Sequence, residues 1–224
     1  FTFTYKDLYK SVLKTYSFLE KLNLEKGDRI IIWGYNSPEW GIVFLAAALK
    51  GVVIIPIDYM ATADFVQKIH SAVQAKVIFH SEYKIPPELG IRKVVLDYLD
   101  SHIEELPQFK AVKPPVGEDD LLEIVYTSGT TGDPKGVMIT HRNILSNVEA
   151  IKKVVNASLS QTFLSVLPLS HLFEQNPGFL APLTTGCTII YMRGLRPNLI
   201  FKTLAEEKIT NIILVPRLLK LFAD

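Results

Sequence analysis

The feature that most constrains this chain is an alternation of short, β-branched apolar runs with stretches of helical periodicity. Arg29-Ile30-Ile31-Ile32-Trp33 is short and bounded by glycines, the pattern of a buried strand. Ser37-Pro38-Glu39 then opens a helix, with a capping hydroxyl, proline at the first helical position and an acid in the first turn. That helix runs to about Lys50. Ahead of these, Tyr5, Leu8, Val12, Tyr16, Leu19 and Leu22 recur at three- and four-residue spacing and predict an amphipathic opening helix. Residues 52–55, 77–79, 94–96, 122–126, 137–139, 163–167, 188–191 and 212–215 read as further strands. Helices are expected over residues 62–75, 141–155, 174–183, 197–207 and 217–222. Residues 102–120, with Pro107, Pro114 and Pro115, read as a long surface connection. Strands separated by helices of this length form stacked βαβ units around a mostly parallel sheet, so the expected class is α/β.

Composition narrows the function. Of 224 residues 48% are hydrophobic, and 24 Lys and Arg nearly balance 23 Asp and Glu. That is too apolar and too neutral for a disordered segment. It also lacks the basic surplus of a nucleic-acid binder. The single cysteine, Cys187, excludes a disulfide scaffold. The longest apolar stretch, residues 41–57, is broken by Lys50, Gly51 and Pro56, whereas a membrane span needs about 20 apolar residues. No basic region followed by an apolar run marks the N-terminus as a targeting segment. With the lone cysteine, this makes a cytoplasmic location the expectation.

The stretch that carries chemistry is Ile-Val-Tyr-Thr-Ser-Gly-Thr-Thr-Gly-Asp-Pro-Lys-Gly, residues 124–136. Thr127, Ser128, Thr130 and Thr131 bring four hydroxyls. Gly129 and Gly132 let backbone N–H groups approach a ligand, and Lys135 adds a mobile charge. This set suits a polyphosphate. The plainer reading is a glycine-rich turn joining two strands, although hairpin loops usually span about 2–5 residues. It is not a Walker loop, because counting from Gly129 places Pro134 at the second glycine and Gly136 at the metal-binding hydroxyl. His70, His80, His102, His141 and His171 show no H-x-x-x-H spacing, and no metal site is expected from them. Neither G-x-S-x-G nor G-x-G-x-x-G after a strand occurs.

The run TSGTTGDPKG resembles the phosphate loop of the AMP-forming adenylating enzymes, which include acyl-CoA synthetases, luciferases of the firefly type and peptide adenylation domains. Leu167-Pro168-Leu169-Ser170-His171 resembles the L-P-L-x-H segment of acyl-CoA synthetases. Weaker likenesses lie at Thr4-Tyr5-x-x-Leu8, Asn36-Ser37-Pro38-Glu39-Trp40, residues 51–56, Asp119-Asp120-Leu121 and Val215-Pro216-Arg217, the last like a fatty-acid branch. The resemblance thus extends over nearly the whole chain. It implies ATP bound through Thr127, Ser128, Gly129, Thr130, Thr131, Gly132 and Lys135, with Lys135 and His171 in catalytic roles. It also implies Mg2+ and CoA, and as substrate a carboxylic acid, with a long-chain fatty acid first and an aryl or short-chain acid as the alternative. From the residues alone a lone histidine such as His171 is more commonly a packed or surface residue. Glu174 is either a site residue or a solvated helix start.

The family's Y-G-x-T-E segment and its later T-G-D segment, which bear on magnesium and ribose, have no match downstream of the loop, and neither has its small lysine-bearing domain. The expectation is therefore a fragment of the N-terminal adenylating domain, inactive as a ligase by itself. By the same resemblance the domain stacks two sheets, with residues 28–150 in the first. Residues 1–27 and 163–224 would belong to the second, left incomplete at its C-terminal end. An incomplete sheet exposes an edge and favours homo-oligomers. A fatty substrate would bring peripheral membrane contact. A phosphate-binding module without catalysis, and a folded piece that binds nothing, are the competing readings.

Overall fold

The computed structural model describes residues 2–109, 114–127, 134–155, 158–193 and 197–221. The chain forms two compact units: Phe1–Gly34 with Pro38–Asn143, and Tyr35–Ser37 with Ile144–Asp224.

The first unit is built on a six-stranded sheet. Its elements are α1 (Tyr5–Lys21), β1 (Arg29–Trp33), α2 (Pro38–Lys50), β2 (Val53–Ile57), α3 (Ala63–Val73), β3 (Val77–His80), β4 (Arg92–Val95), α4 (Leu99–Ile103), β5 (Leu121–Thr127) and β6 (Lys135–Thr140). The strand order is β4-β3-β1-β2-β5-β6. All pairs are parallel except β5 with β6, an antiparallel hairpin. The near-continuous apolar runs of β1 and β2 follow from cover on both faces. Ile31, Trp33, Ile55 and Ile57 alternate along their strands and pack with Val66, Ile69 and Val73 of α3. Pro56 sits in β2, where its missing N–H is tolerated because the pairing with β5 is confined to Ile54 and Glu123.

Local signals start the helices where the sequence places them. Thr4 and Asp7 form a capping box at α1, and Thr62 accepts from the Phe65 N–H at 3.3 Å to cap α3. Thr140 and Asn143 reciprocate in the same way ahead of α5 (His141–Val154), a helix that begins in the first unit and continues in the second. Two expectations for this region change. The opening helix, grouped above with the second sheet, packs on α2 and α4 of the first unit, where Val12, Tyr16 and Leu19 of its apolar stripe are buried. The long connection over residues 102–120 begins inside α4, because Leu99 and Ile103 lie one turn apart and are both buried.

The second unit carries a parallel sheet of three short strands in the order β8-β7-β9. These are β7 (Thr162–Ser165), β8 (Thr188–Tyr191) and β9 (Asn211–Ile212). Between β7 and β8 runs one helical stretch, α6 (Leu172–Glu174), a π-helical segment (Gln175–Leu180) and α7 (Ala181–Thr185). It is followed by α8 (Pro197–Glu206) and α9 (Pro216–Leu221). The core joins Leu164 and Val166 to Met192, Ile200 and Leu218. Among the described residues no helix is long and apolar enough to cross a membrane.

Candidate active site

The hairpin of β5 and β6 presents the hydroxyl-rich loop. Thr127 and Lys135 are register partners on opposite strands, so they stand together where the loop leaves the sheet. Both are exposed. Residues 128–133, which include Ser128, Gly129, Thr130, Thr131 and Gly132, lie outside the described residues. One position further in, Tyr126 pairs with Gly136. A Cβ on Gly136 would come within 2.9 Å of Ile124 Cγ2 and 3.1 Å of Tyr126 Cζ, so glycine is what lets the ring lie across the strand. Partial burial pushes the Tyr126 phenol up.

The foot of the hairpin is tied by charge. Arg142 donates to both carboxylate oxygens of Asp119, at 2.8 and 3.1 Å, and its backbone N–H donates to Glu118 O at 2.7 Å. Lys26 donates to Asp120 Oδ2 at 2.6 Å, and the Gly117 N–H reaches the same oxygen at 2.6 Å. These partners hold both aspartates below the usual carboxylate range, Asp119 through Arg142 and Asp120 through Lys26 first. The His141 N–H donates to Asp120 O at 3.1 Å, and burial pushes its imidazole down. The Asp119-Asp120 pair thus fixes the start of β5 to the start of α5.

The L-P-L-x-H segment lies in the second unit, after β7. Asn36 holds it. Its amide nitrogen donates to Ser165 Oγ at 3.0 Å and to Leu167 O at 2.6 Å, and its carbonyl accepts from the Leu169 N–H at 2.9 Å. The His171 N–H donates to Pro168 O at 3.0 Å, which closes the loop into a turn. His171 is exposed. The N–H groups of Glu174 and Gln175 both donate to His171 O at 2.9 Å and start the helical stretch there.

Glu174 is not a solvated helix start. It is 0% exposed, and its carboxyl is packed against Gly178, where a Cβ would come within 2.5 Å of Oε1. Burial pushes its pKa up to about 8; the Ser165 hydroxyl and the Leu167 backbone oppose this, yet neither closes to a regular hydrogen bond. Phe173 next to it is exposed, whereas Phe179 and Leu180 are buried, as core residues are. Sequence reasoning did not assign Asn36 or Ser165, which lie 129 positions apart in the chain. The Glu-x-x-x-Gly spacing of 174 and 178 was the visible trace of the buried carboxyl. Among the described residues there is no group of three or more His, Cys, Asp or Glu that could hold a metal ion.

This α/β framework, with its glycine-rich hairpin, is that of the N-terminal domains of adenylating enzymes. It superposes with a TM-score of 0.84 on the inhibitor-bound N-terminal domain of FACL13 from Mycobacterium tuberculosis, at 26% identity, covering 99% of this chain and 58% of that one. Apo and ATP-bound MatB from Rhodopseudomonas palustris each give 0.80 at 22% identity, over 42% of their length. The AMP-binding enzyme model matches residues 1–224, and the chain belongs to that family. Curated relatives include 4-coumarate–CoA ligase CCL1 of Humulus lupulus and long chain acyl-CoA synthetase 4 of Arabidopsis thaliana, each 29% identical. The alignments cover 95% and 96% of this chain but only 42% and 37% of those proteins. The chain therefore spans about two fifths of the length of the relatives it matches.

Proposed function

We propose that this chain supplies the phosphate-binding and acid-binding part of an enzyme that activates a carboxylic acid as its acyl-adenylate and passes the acyl group to CoA. The observation that carries this reading is the pairing of Thr127 with Lys135 across the mouth of a loop of sequence Ser-Gly-Thr-Thr-Gly-Asp. A lysine and a hydroxyl at the foot of a glycine-rich loop suit the β- and γ-phosphates of ATP. Carboxylate and α-phosphate are both anions, so their approach needs charge neutralised and the attack held in line. Lys135 and the loop N–H groups would stabilise the charge that develops as pyrophosphate leaves. The exposed His171, on its clamped turn, would orient the carboxylate or the α-phosphate. Mg2+ would enter with the nucleotide and offset further charge.

The acid is a long-chain fatty acid in this reading, supported by the Val215-Pro216-Arg217 segment and by the long-chain synthetases among the relatives. The 4-coumarate ligases, equally similar, support an aryl acid as the second reading. The test incubates the whole protein carrying this chain with ATP, Mg2+ and CoA, and with palmitate, 4-coumarate or acetate in turn. AMP and pyrophosphate release with palmitate is expected. Release with 4-coumarate alone would reverse the order of the two readings, and release with no acid would reject the ligase.

A further inference from the structure

A buried carboxyl is costly unless a cation or a full set of donors meets it. Glu174 is 0% exposed, neither of its oxygens completes a hydrogen bond, and among the described residues no ion pair reaches it. An apolar side chain of the same volume would fill the space without that cost. The space itself is shaped for the carboxyl, because Gly178 has no Cβ where Oε1 sits. The surrounding backbone is a six-residue π-helical segment, Gln175–Leu180, the kind of helix irregularity that recurs at functional sites.

Two observations connect this carboxyl to His171. The backbone N–H of Glu174 donates to His171 O at 2.9 Å, so the residue sits on the turn that His171 opens. The Ser165 hydroxyl accepts from Asn36 at 3.0 Å, which leaves its own proton to point toward Glu174. The same Asn36 amide grips Leu167 O and the Leu169 N–H. The loop over residues 167–171 is thus held at its first half by Asn36 and at its end by the turn that carries Glu174, with Ser165 between the two.

We propose that Glu174 is a positioning residue for His171, its carboxyl seated against Gly178 and fixing the turn from which the imidazole projects. The proposal rests on the reading of His171 as the group that meets the acid or the α-phosphate. Burial favours the protonated acid at Glu174, so glutamine is its closest neutral mimic.

The test measures amide exchange over residues 167–171 in the whole protein, as wild type and as Glu174→Ala, Glu174→Gln and Gly178→Ala. Acyl-adenylate formation is assayed on the same proteins and on His171→Ala. Glu174→Ala is expected to speed exchange of the Leu169 and His171 amides about tenfold or more. It is also expected to lower kcat about tenfold, with the KM for ATP within about threefold. Glu174→Gln restores both. Gly178→Ala, whose methyl would meet Oε1 at 2.5 Å, reproduces the alanine pattern with the carboxyl still present. Exchange unchanged in both alanine variants overturns the proposal, and so does a folded glutamine variant that behaves like alanine. A His171→Ala protein with full adenylation activity overturns the role of His171 instead, and the exchange result still decides whether Glu174 positions the loop.

Discussion

Glu174→Gln should stabilise the second unit, and increasingly so as pH rises. The carboxyl titrates near 4.5 when free and at about 8 in the fold, so between those values the folded chain holds a proton that the unfolded chain has lost. Stability then falls with rising pH, by about 1.4 kcal/mol per unit. The contribution is complete below about pH 4.5 and is gone above about pH 8, the reverse of a salt-bridged carboxylate. At about pH 6 the wild type has lost roughly 2 kcal/mol, and at about pH 8.5 roughly 5 kcal/mol. Glutamine keeps the shape and does not ionise. Cys187 gives the assay, because it is the chain's one cysteine, is 2% exposed and lies in the second unit. Its labelling rate by a thiol reagent, at low reagent and sub-denaturing urea, reports opening of that unit. Dividing the wild-type rate by the glutamine rate at each pH cancels the intrinsic reactivity of the thiol. The ratio should climb about a hundredfold between about pH 6 and about pH 8.5. A ratio flat with pH would mean that Glu174 ionises without penalty, and the reasoning about its burial would be wrong.

Three further outcomes follow from the same geometry. Lys135→Ala should weaken ATP binding by the whole protein about tenfold or more, read by calorimetry, with no change in melting temperature, since the side chain is exposed. Asn36→Ala removes three buried hydrogen bonds and leaves Leu167 O and the Leu169 N–H unmet; it should destabilise the second unit by about 2–4 kcal/mol, read as faster labelling of Cys187. Gly136→Ala should cost about 1–3 kcal/mol in urea unfolding, because the new methyl meets Ile124 and Tyr126 at 2.9 and 3.1 Å.

The central strands of the first unit's sheet were legible because they are buried on both faces. β1 and β2 then read as short runs rich in isoleucine and valine, and Ser37-Pro38-Glu39 marks the helix between them. The placement of α1 was not legible in the same way. Its stripe of Val12, Tyr16 and Leu19 announces a buried face but not which neighbour covers it. The π-helical segment leaves no periodic mark either. Pro177 within it has no N–H to give to the preceding turn, and the stretch reads from sequence as an ordinary helix.

The two halves of the candidate site differ in legibility for a physical reason. The candidate phosphate loop draws on neighbours in sequence, and its hydroxyls, glycines and lysine suggest their chemistry within about a dozen residues. Its geometry adds only that Thr127 and Lys135 stand opposite each other. The His171 turn is built from distant residues: Asn36 reaches Ser165 across 129 positions and Leu169 across 133. Nothing in the local composition of residues 165–178 says that an amide from the start of the chain will grip this loop. That Glu174 will be sealed from water is marked there only by Gly178. An acid at a helix start is ordinarily solvated and favourable there. What turns that bland position into a constrained one is Gly178, one turn on, whose missing side chain receives the carboxyl. A helix-start acid three residues after a candidate catalytic histidine and four residues before a glycine is therefore the pattern that marks the buried anchor in this chain.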